Sequence, residues 1–265
     1  MMFKINILNF FKKVLNFVFK KKILVIVLSF CLLIYLFLPK KSRYWVERYL
    51  IPISFFSLMF FRTVYLTIIG IRGSLALSYI SIVGLIDKTL LIVFMGILIF
   101  SYIIRISPDQ PAEGIWERFY PAIVFILHIM GAHFIAIYTK INYVSYFFVT
   151  ALSLCFIGLV LIIASLWQLR RSFSIMVEVR KLIINGPYKY IRHPIYTGEA
   201  IYWLGMTLLF NNRFAYGFFI AILVTQISRA LLEEHKLSKY LEEYGSYKKR
   251  TGFIIPRLRP FSRNQ

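Results

Sequence analysis

The sequence predicts an all-α membrane protein: a polytopic bundle of about six to eight apolar helical segments, with a C-terminal helical hairpin and a cytosolic loop and tail. Hydrophobic residues make up 59% of the 265 residues, whereas a soluble domain is about 45–50% apolar. They fall in runs approaching the roughly 20 residues that cross a bilayer. The 32 Lys and Arg, against 11 Asp and Glu, lie mostly beside these runs. They therefore predict anchors to anionic lipid and no nucleic-acid partner.

Each apolar run is expected to be a helix, because an open sheet cannot satisfy its backbone in lipid. The first run follows a basic N-terminus and lacks a small-residue cleavage site, which predicts an uncleaved transmembrane helix. The third is short for a full span and is expected to be half-buried or re-entrant. The runs are 23–38, 50–69, 74–86, 88–104, 119–138, 143–167, 196–210 and 214–232.

Polar detail is concentrated in the second half of the chain. We therefore predict N-terminal transmembrane helices of unknown role over 1–140 and a functional membrane region over 141–265. The bias of Lys and Arg places the basic loop 168–195 and the tail after 232 in the cytoplasm. The stretch 196–232 must then enter and leave the membrane on one side. The short turn at 211–213, Asn-Asn-Arg, is consistent with that hairpin.

The loop from Gly186 to Glu199 is unusually rich in polar and aromatic groups for so apolar a chain. Because Pro is favoured at the first helical position, His193-Pro194 predicts the start of a helix that runs to Phe210. A helix N-terminus offers free N–H groups and a positive dipole end, which suit a carboxylate or phosphate. The alternative is a helix cap in which Arg192 reaches lipid headgroups.

A second polar group follows on the returning helix. Arg229 and Glu233 are spaced i, i+4 and share a helix face, either as an interfacial ion pair or as part of a site. The hairpin would bring them to the membrane surface that holds His193. In the tail, Tyr244 and Tyr247 lie on one face of a predicted surface helix, where they are either solvated or cover a pocket.

Several kinds of site are not indicated. There is no dinucleotide-binding glycine motif and no phosphate-binding loop. Both cysteines lie in apolar runs and build no metal framework. His128 and His133 are five residues apart, on different faces of an ideal helix, so we expect no shared metal there.

The combined motif resembles the isoprenylcysteine carboxyl methyltransferase and phospholipid methyltransferase superfamily. It consists of Gly-Pro-Tyr-x-Tyr-x-Arg-His-Pro-x-Tyr-x-Gly over 186–198, then Arg-x-x-x-Glu-Glu over 229–234, then Tyr-x-x-Tyr and a Pro-Arg end. The resemblance covers about residues 150–260. It implies S-adenosyl-L-methionine as the methyl donor, bound near the cytoplasmic surface, and a lipophilic or membrane-associated methyl acceptor. The first 140 residues are expected to wall the acceptor pocket.

The resemblance also implies roles for individual residues. Arg229 would face the acceptor, and Glu233 would bind the donor at its ammonium group; these two are the predicted catalytic residues. The backbone of 180–183 would line the adenine, and the start of the helix would hold the amino-acid end. The residues implied to bind the donor are Arg180, Lys181, Leu182, Ile183, Tyr188, Arg192, His193, Pro194, Ile195, Tyr196, Glu233 and Glu234.

The chain departs from the pattern at Glu199, where the family is usually less polar; this residue would tune the acceptor site or pair with a nearby cation. Two other functions remain open. A membrane sterol-type reductase using NADPH is related in the same region, but such proteins tend to have Asn in place of Ile195 and Arg-Asp in place of Glu233-Glu234. The other alternative is a non-enzymatic lipid-binding membrane protein.

Overall fold

The structure is a computed structural model that describes residues 39, 42, 45–73, 79–138 and 147–257. The predicted helix at 23–38 lies outside the described residues. The chain divides into two compact units, Met1–Pro52 and Ile53–Gln265. In the first unit the described backbone includes a π-helical turn, Val46–Leu50.

Helices account for most of the described backbone, which has two isolated β-bridges but no strand. The all-α class is therefore confirmed for the part of the chain that the structure describes. Two 3₁₀ turns, Arg170–Ser172 and Gly186–Lys189, interrupt the loop after α4. The helices are α1 Ile51–Gly73, α2 Tyr79–Ile103, α3 Gly114–Tyr138, α4 Phe148–Leu169, α5 Pro194–Phe210, α6 Arg213–Tyr240 and α7 Tyr244–Arg250.

Several helix boundaries differ from the predicted apolar runs, and the clearest differences concern α2 and α6. The runs 74–86 and 88–104 were expected to be separate, but α2 continues without a break from residue 79 to 103. Charged residues at 87 and 88 interrupt the hydropathy, whereas the helical hydrogen bonds pass through them. Likewise α6 extends past the predicted end at 232 to Tyr240, because Glu, Lys and Leu are good helix formers outside the membrane as well.

Two of the described helical stretches are long and apolar enough to cross a bilayer, Phe148–Ser172 and Arg213–Tyr240. A shorter apolar stretch covers Lys88–Ile103. These helices support a membrane protein. The predicted number of spans, and the entry of 196–232 into the membrane from one side, stay predictions.

Helices α4 and α5 pack with their backbones in close approach. A Cβ added at Gly158 would lie 2.5 Å from the amide N of Tyr202, and one at Gly198 would lie 2.8 Å from the carbonyl O of Gly158. At Gly205 the added atom would lie 2.6 Å from the carbonyl O of Ala151. Small residues permit such contacts, which are typical of helix pairs in membranes. This packing fixes the N-terminal turn of α5 against α4.

Helices α5 and α6 are joined by two asparagines. Asn211 ends α5 with a left-handed backbone (φ 44°), and the Asn212 side chain accepts a hydrogen bond of 3.0 Å from the Ala215 amide, which caps α6. The ring of Trp203 packs on that of Phe218 near this turn, while Tyr196 meets Glu233 at the other end of the pair. The two helices are therefore antiparallel.

The end of α2 holds the loop that follows α4. Tyr102 is buried among the rings of Phe56 and Phe173, and its hydroxyl accepts a hydrogen bond of 3.2 Å from the Ile175 amide. This contact anchors the segment 172–183, which forms one wall of the cavity described below.

The close approach of α4 and α5 predicts that Gly158→Ala will destabilise the protein. The new methyl group would meet backbone atoms that cannot move aside, and overpacking costs about 1–3 kcal/mol. Thermal unfolding of the purified protein in detergent should show a lower Tm for this variant.

Gly217→Ala in α6 is the matched control, because a Cβ there meets no atom of the described residues within 4 Å. This change should leave the Tm unchanged or slightly higher, since Ala favours helix over Gly by up to about 1 kcal/mol. Equal Tm losses in the two variants would contradict the packing argument.

Candidate functional site

A cavity of about 170 Å³ lies where the loop after α4, the N-terminal turn of α5, the polar half of α6 and the short helix α7 converge. It is lined by every site residue predicted from the sequence except Pro194 and Glu234. Tyr244 and Tyr247 of α7 also line it, so these two tyrosines cover a pocket. The structure thus brings together residues as far apart in the chain as Phe94 and Tyr247.

The wall formed by residues 172–183 is pinned by a buried carboxylate, Glu178. Its Oε2 atom lies 2.6 Å from Arg180 Nη2 and 3.9 Å from Arg105 Nη1, and it accepts a hydrogen bond of 2.7 Å from the Ser174 hydroxyl. Burial raises the pKa of Glu178, but Arg180, the Ser174 hydroxyl and Arg105 outweigh burial and hold the pKa below its usual value. The carboxylate therefore stays ionised.

After Glu178 the wall continues as an extended chain. Val179 pairs with Gln110, whose carbonyl accepts a hydrogen bond of 2.9 Å from the Val179 amide. The backbone groups of 181–183 have no hydrogen-bond partner among the described residues. They line the cavity and can offer both donors and acceptors to a planar heterocycle.

The 3₁₀ turn after this wall needs its glycine. Gly186 has φ +58°, and a Cβ there would lie 2.7 Å from Gln168 Cγ. The turn buries Tyr188, whose carbonyl accepts a hydrogen bond of 2.7 Å from the Tyr247 hydroxyl. Burial raises the pKa of Tyr247 to about 12, so this hydroxyl stays protonated and keeps α7 attached to the turn.

The N-terminal turn of α5 opens onto the same cavity. Helix α5 begins at Pro194, as predicted, and His193 at its N-cap makes no side-chain capping bond. The amides of Ile195 and Tyr196 have no hydrogen-bond partner among the described residues. A helix start with free amides and a positive dipole end attracts an anionic group. Pro194 is fully buried and sets this turn without lining the cavity.

Glu233 and Arg229 face the cavity from α6. The Tyr196 hydroxyl donates a hydrogen bond to Glu233 Oε1, and His193 stacks on the Tyr196 ring with centroids 5.6 Å apart. The guanidinium carbon of Arg229 lies 5.1 Å from the centroid of the same ring. Arg229 is 5% exposed, and its Nε has no hydrogen-bond partner in the described structure.

Glu234, next to Glu233 in sequence, lies behind the cavity. Its Oε1 atom is 2.5 Å from Arg192 Nε and 3.3 Å from His193 Nε2, and its Oε2 is 2.7 Å from Lys248 Nζ. Both carboxylate oxygens are therefore used by protein cations. The predicted contact of Glu234 with the donor stays a prediction, and its position indicates that it holds the cavity wall together.

The C-terminal segment ties down the loop that carries His193. The Arg192 amide donates to the Gly252 carbonyl at 2.9 Å, and the His193 amide donates to the Phe253 carbonyl at 3.2 Å. Arg192 Nη1 also donates to the Thr251 carbonyl at 2.6 Å. Residues 241–257, which belong to the predicted polar tail, thus form a strap over the site. We call this segment the C-terminal strap.

Sequence reasoning missed two charged residues that line the cavity, Glu178 and Lys236. Lys236 is 3% exposed, donates to the Pro111 carbonyl at 2.6 Å and forms an ion pair with Glu117. Neither residue belongs to a recognisable motif. For Lys236, its position in the helix was the available signal, since it lies one helical turn after Glu233 and so shares a face with it.

Comparison with known proteins identifies the region that builds the site. Residues 146–243 match the phospholipid methyltransferase family, which covers α4, the wall, α5 and α6. No curated protein matches the chain. A solved structure of a eukaryotic intramembrane Ras methyltransferase, isoprenylcysteine carboxyl methyltransferase, is similar with a TM-score of 0.40 and 18% identity, covering 75% of this chain and 84% of that one. The family match confirms the predicted superfamily for this region and supports a membrane methyltransferase.

The cluster around Glu234 predicts that Glu234→Gln will loosen the C-terminal strap. The change leaves the Arg192 guanidinium, whose side chain is 8% exposed, without its anion, at a cost of up to about 3 kcal/mol. Limited trypsin digestion, followed by mass spectrometry, should show faster cleavage at Lys248, Lys249 and Arg250 than in the wild type.

Glu242→Gln supplies the control, because Glu242 is exposed and lies on the same strap. Its digestion pattern should match that of the wild type. If the two variants were cut at the same rate, the ion cluster would not be what holds the strap.

Proposed function

We propose that the chain is an integral-membrane, S-adenosyl-L-methionine-dependent methyltransferase that acts on a lipophilic or membrane-associated acceptor. The observation that carries this proposal is the meeting, in one cavity, of the free helix start of α5 and the carboxylate of Glu233. The amino-acid end of the methyl donor has one carboxylate and one ammonium group, and these two features of the cavity match them in charge.

The polar and aromatic groups that line the cavity match the individual groups of S-adenosyl-L-methionine. The unpaired amides of Ile195 and Tyr196 would hold its carboxylate, and Glu233 would hold its ammonium. The free backbone of residues 181–183, with Arg180 before it, would hydrogen-bond the adenine. The buried ring of Tyr188 would pack against the donor. When bound, S-adenosyl-L-methionine supplies a methyl group on a positively charged sulfur.

The protein's part in the reaction is to orient the two substrates and exclude water. Arg229 faces the interior of the cavity beside Tyr196, where it would position the acceptor. The apolar wall of Phe94, Leu98 and Phe125, from α2 and α3, would hold a lipophilic chain. Alignment of this kind lowers the barrier by several kcal/mol, because the entropy of bringing the reactants together is lost on binding.

We further propose that the protein is multi-pass and that its donor site faces the cytoplasm. Residues of the loop 168–195 and of the strap 241–257, two segments rich in Lys and Arg, line the cavity. Lys and Arg beside transmembrane segments are retained on the cytoplasmic side. The donor would then enter from the cytoplasm and the acceptor from the bilayer.

The donor site predicts micromolar binding of S-adenosyl-L-methionine to the purified protein, measured by isothermal titration calorimetry in detergent. Glu233→Ala and His193→Ala should each abolish it, the first by removing the partner of the ammonium group and the second by disturbing the start of α5. Glu242→Ala, on the exposed face of the strap, should bind as the wild type does.

Absence of binding to folded wild-type protein would contradict the methyltransferase proposal. Binding of NADPH in its place, under the same conditions, would favour the sterol-reductase alternative.

Arg229→Ala should separate binding from turnover. Because Arg229 faces the acceptor, this variant should keep the affinity for S-adenosyl-L-methionine and lose methyl transfer, measured with a radiolabelled methyl group and an extracted membrane-lipid library. Loss of donor affinity and of turnover by the same factor would assign Arg229 to the donor instead.

A further inference from the structure

Glu199 is a carboxylate that nothing in the proposed donor site uses. It lies one helical turn after Tyr196 on α5 and lines the cavity. Its Oε2 atom is shielded from solvent and has no hydrogen-bond partner among the described residues. An unpaired carboxylate oxygen in such a place is unfavourable, and an ionisable residue within a membrane protein indicates a functional site.

Glu199 is also the carboxylate lining the cavity that forms no ion pair among the described residues, since Glu178 pairs with Arg180 and Glu233 Oε2 lies 3.8 Å from His193 Nδ1. Arg229, which lines the same cavity, forms no ion pair within the described structure either. The other buried cations that line the cavity have carboxylates of their own. These pairs are Arg180 with Glu178, Arg192 with Glu234 and Lys236 with Glu117.

The register of the two antiparallel helices places Glu199 at the depth of Arg229, where the acceptor would lie. Tyr196 and Glu233 meet at the level where the donor's amino-acid end would lie. One turn further along α5 is Glu199, and one turn back along α6 is Arg229, roughly 5 Å deeper. Both residues carry a shielded polar atom without a partner in the described structure, Glu199 Oε2 and Arg229 Nε.

We propose that Glu199 accepts the proton released by the methyl acceptor, and that it restricts the acceptor to nucleophiles that carry a proton on nitrogen, sulfur or oxygen. This inference rests on the proposed methyltransferase function and deepens it. A carboxylate acceptor has no proton to give up and would be repelled by Glu199, since like charges brought together without solvent cost several kcal/mol.

The transfer balances with the groups present. The lone pair of the acceptor heteroatom forms a bond to the methyl carbon, while the carbon–sulfur bond breaks and leaves its electron pair on sulfur. The proton on the heteroatom passes to Glu199 Oε2, the oxygen that has no other donor. Arg229, beside it, would hold an oxygen of the acceptor head group and keep the nucleophile in line.

The test uses the full-length protein in nanodiscs, with four acceptors that share one dodecyl chain: dodecylamine, dodecanethiol, dodecanoate and 4-dodecylthiophenol. The wild type should methylate the amine or the alkyl thiol and leave the carboxylate unmodified. Glu199→Gln should slow that transfer by at least about 100-fold, the lower end of what a positioned base contributes. The aryl thiol is largely ionised at neutral pH, so it should restore most of the rate in Glu199→Gln.

Binding supplies a readout that does not depend on turnover. Calorimetry should give the same ratio of Kd values for S-adenosyl-L-methionine and for its product S-adenosylhomocysteine, which lacks the positive charge on sulfur, in the wild type and in Glu199→Gln. If Glu199 instead held the donor's sulfonium, the preference for S-adenosyl-L-methionine over S-adenosylhomocysteine would fall in the variant and the proposal would be overturned.

Other results would also overturn it. These are methylation of dodecanoate by the wild type, an unchanged rate for the amine and the alkyl thiol in Glu199→Gln, no rescue by the aryl thiol, or no transfer to any protic acceptor by wild-type protein that binds the donor. A wild-type protein that fails to bind the donor would contradict the methyltransferase proposal itself, so the two failures are distinguishable. Glu242→Gln, on the exposed strap, should behave as the wild type in every arm.

Discussion

The buried ion pair between Arg192 and Glu234 is the contact on which the cavity depends. It joins the loop before α5 to the returning helix α6, and through Lys248 and the Thr251 carbonyl it also joins the C-terminal strap. Three segments that are distant in the chain are thus held at one point. A buried cation without its anion is strongly destabilised, so each segment stays in place only while the others do.

Around this contact the cavity keeps its cations and carboxylates matched, with a local exception. Glu178 and Glu234 each neutralise an arginine in a wall, which holds these walls in place. The unmatched groups that line the cavity include Glu199 Oε2, Arg229 Nε, the Tyr244 hydroxyl and the free backbone groups of 181–183 and of the first turn of α5. These groups are available to a ligand of the cavity, although Ser101 Oγ and the side-chain amide of Gln226, which do not line it, are also buried without a partner in the described structure.

The close packing of α4 on α5 also holds the cavity residues in place, within the apolar region of the protein. Without a strong hydrophobic force between helices in lipid, van der Waals contact across glycines is what fixes their distance. Gly158 and Gly198 meet within one turn of Tyr196 and Glu199. The rigid helix pair therefore sets the depth at which the two side chains face the cavity.

The sequence by itself determined the all-α class of the described part and the start of α5 at Pro194, because hydropathy and proline geometry are local signals. Through the resemblance of its motif it also named a set of site residues, nearly all of which line one cavity. It did not separate Glu233 from Glu234, since successive helix residues point about 100° apart and only the packing of α6 decides which faces the cavity. The tertiary structure also decided that the tail is a strap, that Glu178 anchors a wall and that Glu199 Oε2 lacks a partner. These depend on contacts between segments that are far apart in the chain, which no local pattern encodes.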